Sequence, residues 1–82
     1  MAEILFTCDH LGITTTLYGN RIEMVQNGKR GAQWNVSLQR IASISTDVLK
    51  SMLMIETVGG QVFKCASGQD TVELYNRLVA LL

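Results

Sequence analysis

The chain has no proline, one histidine, one tryptophan and two cysteines among its 82 residues. Each scarcity excludes something. Without proline, no strand is interrupted by a missing N–H donor, and no exposed sheet edge is protected by the residue that often blunts one. Edge-to-edge pairing between subunits is therefore open to this chain. The single histidine, His10, sits beside Asp9 in an expected turn, and nothing near it in sequence has metal-ligand spacing. Cys8 and Cys65 lie far apart, outside any CxxC pair and on apolar segments. They read as small buried thiols, not as a disulfide, which needs an oxidising compartment, nor as metal ligands.

Charge of either sign is also scarce. Seven basic and seven acidic residues cancel to a formal net charge of zero. A strong electrostatic nucleic-acid binder needs a clustered basic face, and a polybasic membrane anchor needs a run of Lys and Arg; neither is present. Zero net charge removes self-repulsion and tolerates self-association. No apolar run approaches the roughly 20 residues of a spanning helix. The start Met1-Ala2-Glu3 has no basic character, so no signal peptide is expected and the expected location is the cytoplasm. One histidine and scattered carboxylates assemble no acid–base or nucleophile constellation. Thr14-Thr15-Thr16 has no companion base, and the glycine pairs match no phosphate loop. The expectation is a chain without enzymatic activity, cofactor, metal or small-molecule substrate.

What is present is pattern. An apolar fraction of 48% suits one small domain. Seven short strand-like segments come first. Glu3 to Asp9 alternates with Ile4, Phe6 and Cys8 on one side. Ile13 to Tyr18 places Ile13, Thr15 and Leu17 together. Arg21 to Gln26 follows the Gly19-Asn20 turn, with Ile22 and Met24 facing together. Asn27-Gly28 is a strong hairpin signal, its loop extending through Lys29-Arg30-Gly31. Ala32 to Ser37 points Trp34, Val36 and then Leu38 inward. Arg40 to Thr46 carries Ile41 and Ile44 three apart, which a bulge or bend after Leu38 reconciles. Met52 to Val58 and Gln61 to Ala66 pair across Gly59-Gly60. Met52 and Met54 share a face and are expected to fill the core, with an adhesive methionine patch as the alternative.

After Gly68 the period changes. Val72, Tyr75, Leu78, Val79 and Leu82 recur at helical spacing, widened by Leu74 and Leu81, so a helix is expected from about Thr71 to Leu82. Asp70 with Glu73 resembles a capping box, with Ser67 and Asp70 as the alternative, and Glu73 with Arg77 forms an i,i+4 pair. Antiparallel hairpins followed by one apolar helix predict a mainly β domain spanning residues 1–82. It would be a seven-stranded antiparallel bent sheet or partly open barrel, plugged at its open end by Leu78, Leu81 and Leu82.

Three stretches carry a family resemblance: Leu17-Tyr18-Gly19-Asn20-Arg21-Ile22, then Val36-Ser37-Leu38-Gln39-Arg40-Ile41-Ala42-Ser43-Ile44, then Met54-Ile55-Glu56-Thr57-Val58-Gly59-Gly60-Gln61-Val62-Phe63 before the helix. With the element order, they make the chain resemble the short bacterial pleckstrin-homology-like domains. The resemblance implies a non-catalytic module that binds a protein partner, in bacteria often another copy of itself. It departs from the phosphoinositide-binding members. Their first hairpin loop is basic, whereas Asp9-His10-Leu11-Gly12 holds no Lys or Arg, and the usual helix tryptophan is missing. The Met52–Val58 strand or its neighbours are the expected contact edge. The alternative is weak contact with an anion or anionic membrane surface through Arg21, Lys29 and Arg30.

Overall fold

The computed structural model describes residues 3–27, 33–47, 49 and 51–82. The expected layout is present: seven strands, then one helix. The strands are β1 (Ile4–His10), β2 (Ile13–Tyr18), β3 (Arg21–Gln26), β4 (Gln33–Ser37), β5 (Ile41–Asp47), β6 (Met52–Thr57) and β7 (Val62–Ala66), and the helix is α1 (Thr71–Val79). They form two antiparallel sheets, β1-β2-β3-β4 and β5-β6-β7, which do not close into a barrel.

Register shows what faces the core. Across the four-stranded sheet, Phe6–Leu17–Ile22–Val36 and Cys8–Thr15–Met24–Trp34 are two inward rows. Across the three-stranded sheet the inward rows are Ile44–Ile55–Phe63 and Thr46–Leu53–Cys65. Leu74 and Leu78 of α1 complete the core, both fully buried with Leu17, Ile22, Leu53 and Ile55. Trp34 is half-buried against that core, its ring 5.2 Å from Phe63. This aromatic contact joins β4 to β7, where the two sheets remain unpaired.

The spacing of Ile41 and Ile44 has two physical causes. A 3-10 turn at Leu38–Arg40 bends the chain after β4, and a bulge between Ile41 and Ser43 shifts the register of β5 against β6. An extra residue lets two side chains three apart face the same way.

Three expectations are corrected. The helix ends at Val79, and Leu81 and Leu82 are 40% and 57% exposed, so of the three plug leucines only Leu78 enters the core. The exposed Val72 and Val79 lie off the buried stripe, which centres on Thr71, Leu74 and Leu78. Second, the Asp70–Glu73 capping box is absent, because the Asp70 side chain makes no cap bond. The helix instead starts from a 3-10 turn at Gly68–Asp70, fastened by buried hydroxyls: Thr71 Oγ1 donates to the Gly68 carbonyl (2.7 Å) and lies 2.8 Å from Ser67 Oγ. Third, β6 is the middle strand of its sheet. The Met52–Val58 stretch itself therefore offers no free edge, whereas its neighbours β5 and β7, the other half of that expectation, are edge strands of their ladder, as β1 and β4 are of theirs. The Glu73–Arg77 pair is present at 2.9 Å, and Arg77 also covers the Phe6 ring.

One glycine is required by its surroundings. Gly68 has φ +58°, and a Cβ there would collide with the His10 imidazole. This close approach lays the tip of β1 on the turn that starts the helix. Ser51, itself at φ +52°, closes the same junction: its carbonyl accepts from the N–H groups of Ser67 (3.0 Å) and Gly68 (3.2 Å).

Candidate interaction surface

Arg21 begins β3, at the Gly19-Asn20 turn. Its Nε donates to Glu23 Oε1 at 3.0 Å and its Nη1 to Asn20 Oδ1 at 3.1 Å, and the guanidinium lies 3.9 Å from the Tyr18 ring centroid. Lys29 and Arg30 lie outside the described residues. Arg21 is held by a carboxylate, an amide and a ring at the start of β3.

The thiols take a different position. Cys8 and Cys65 are both free and buried. Cys8 faces Thr15 across the β1–β2 ladder, and β7 brings Cys65 against β2. Burial raises the Cys8 thiol, with the Asp70 carboxylate adding to it. Burial likewise pushes Cys65 up to about 11, while the Thr15 hydroxyl partly offsets both shifts. Neutral, enclosed thiols make poor nucleophiles. Among the described residues no group of three or more His, Cys, Asp or Glu side chains could hold a metal.

Between the thiols, Thr15 Oγ1 is buried without a hydrogen-bond partner of normal geometry. A buried hydroxyl facing only weak sulfur acceptors costs stability. Thr15→Val, nearly the same shape without the hydroxyl, is expected to raise unfolding stability by about 1–2 kcal/mol. A higher urea midpoint at unchanged slope is the expected result; a lower midpoint would show that the hydroxyl is bonded to a thiol.

The outward faces of the two sheets differ in character. The four-stranded sheet turns out polar rows, such as Thr7–Thr16–Glu23–Asn35. The three-stranded sheet turns out a three-by-three grid. Its rows are Asp47–Met52–Ala66, Ser45–Met54–Lys64 and Ser43–Glu56–Val62. No residue of this grid is buried, and Ser43, Ser45, Glu56, Val62 and Lys64 are exposed. The helix packs on the opposite, core side through Leu74 and Leu78. The expectation that Met52 and Met54 fill the core is therefore corrected. Leu53 and Ile55 fill it, and the half-buried methionines lie on the middle strand of a sheet face that no described element covers. The signal for this was Glu56, which shares their parity and has no place in an apolar core.

A separate cleft of about 420 Å³ lies at the junction described above, between Asp9, His10, Ser51 and the Ser67–Asp70 turn. Two exposed leucines flank that end of the molecule: Leu11, at φ +50° in the two-residue β1–β2 turn, and Leu49, 85% and 98% exposed. Asn27 N–H donates to the Gly12 carbonyl at 2.8 Å, which brings the start of the β3–β4 connection to the same end. No described helix is long and apolar enough to cross a membrane.

Comparison with protein-family models, characterised proteins and solved structures finds no match to this chain.

Proposed function

We propose that this chain is a non-catalytic interaction module of the pleckstrin-homology-like kind, working in the cytoplasm and associating chiefly with further copies of itself. The observation that carries the reading is the outward face of the three-stranded sheet. A solvated antiparallel sheet normally alternates apolar-in with polar-out. Here two methionines occupy the centre of the outward side, and methionine is the side chain that adapts to a partner surface. The unprotected strand edges of a proline-free chain support the same reading.

Sedimentation velocity over about a hundredfold range of concentration tests it. A mass that rises with concentration at fixed salt is the expected result. A monomer throughout would remove self-association as the main role.

A second reading draws on the other end of the molecule. Leu11 and Leu49 are apolar tips, Asn27 is tied to Gly12 beside Leu11, and the sequence that follows Asn27 carries Lys29 and Arg30, residue types suited to the surface of an anionic bilayer. A monomer that co-sediments with phosphatidylserine vesicles, and is released steeply by salt, would favour this reading over the first.

A further inference from the structure

The grid on the outward face of the three-stranded sheet carries charge as well as methionine, and the charge is arranged asymmetrically. Lys64 lies beside Met54 across the β6–β7 ladder, and Glu56 follows Met54 two residues along β6. The carboxylate of Glu56 is held by Ser43 Oγ across the β5–β6 ladder at 3.1 Å. One cation and one anion thus stand at right angles to each other around Met54.

We infer that this face is a two-fold interface between two copies of the chain, with Met54 packed on Met54 and the strands of the two sheets crossing near a right angle. The inference rests on the self-association reading and names its surface. Orthogonal packing of two sheets is an established arrangement, with facing sheets about 10 Å apart. Neighbouring strands are about 4.8 Å apart, and alternate residues along a strand about 6.8 Å. These spacings are close enough that a two-fold axis running diagonally through Met54 exchanges the Lys64 and Glu56 positions. Lys64 of each copy then meets Glu56 of the other, twice over. Val62, 55% exposed in one copy, meets Val62 of the second at one corner of the grid. The same axis brings Asp47 of the two copies to each other at the opposite corner, a like-charge contact on the rim that opposes the dimer. A second copy supplies both the apolar and the ionic complement at once, because an isologous interface must be self-complementary.

Nine residues a side is well below the roughly 20–30 of a stable standard-size interface. The dimer is accordingly a weak one, forming at micromolar concentrations or above.

The test is a charge swap read by sedimentation of the full chain. Met54→Lys places two ammonium groups on the axis and is expected to leave a monomer whose circular dichroism and Trp34 emission match the parent chain. Lys64→Glu and Glu56→Lys each turn both cross-pairs repulsive and are expected to weaken the dimer by about tenfold or more. The double variant Lys64→Glu/Glu56→Lys restores opposite charges and is expected to recover most of that loss. A parent chain that dimerises while Met54→Lys still dimerises equally, or a double variant no better than the singles, overturns this interface and leaves self-association standing. A parent chain that never dimerises overturns both. Lys64 and Glu56 are exposed and outside the core, so the charge variants decide the matter even if Met54→Lys does not fold.

Discussion

Replacing Leu78 with alanine is expected to remove about 2–5 kcal/mol of stability, the range for emptying a fully buried leucine site. A chain of this size has a total stability of only about 4–12 kcal/mol at the usual 0.05–0.15 kcal/mol per residue. The variant should therefore melt far below the parent chain or fail to fold. The reason is positional. Leu78 is fully buried, and with Leu74 it is the helix's hold on a core that two unclosed sheets leave open at one end. Leu81, three residues on and 40% exposed, is the control. Leu81→Ala is expected to stay within about 0.5 kcal/mol of the parent. Thermal melts of the two variants side by side check this. Equal losses would mean that the chain beyond Val79 carries as much of the packing as the helix does.

Alkali is expected to weaken the fold through Cys65. The unfolded thiol ionises near its ordinary 9.0, and the folded one is pushed up to about 11 by burial. Between those values the unfolded chain has released a proton that the folded chain still holds. Stability contributed by the neutral thiol is thus fully present below about pH 9, falls as pH rises towards 11, and is gone above it. Two pH units correspond to about 3 kcal/mol. Cys8, also raised by burial, acts in the same direction. Urea unfolding from neutral pH upward, on the parent chain and on Cys65→Ala, isolates the effect from lysine and tyrosine titration. The parent should lose stability more steeply than the variant. Parallel profiles would contradict the account.

Most of the architecture was legible because the chain punctuates itself. Gly19-Asn20 and Gly59-Gly60 mark two hairpins, and β2 and β3 have the bounds that alternation alone assigns. The turn from β-branched alternation to helical spacing after Gly68 places α1 at its true start, Thr71. The failures are equally physical. Met52-Leu53-Met54-Ile55 is apolar at every position, so alternation within it does not show which pair faces inward, and only the parity of Glu56 beyond it does. The register with β7, which sets Leu53 opposite Cys65 and Ile55 opposite Phe63, decides it. The helix end was overrun because Leu81 and Leu82 continue an apolar stripe after the helix has stopped. Nothing like a glycine marks the stop. The partners of Arg21 were silent in the sequence, because Glu23, Asn20 and the Tyr18 ring are brought to it by the β2–β3 hairpin.

The central claim is that the chain associates through the methionine face of its three-stranded sheet, and the methionines themselves report on it. Their ε-methyl resonances can be followed in the unmodified chain as concentration rises. The account predicts that the Met52 and Met54 methyl signals move together with the rise in mass, while that of Met24, 7% exposed in the core, stays fixed. Association that leaves Met52 and Met54 unmoved would place the contact elsewhere, and methyl signals invariant at constant mass would contradict the account altogether.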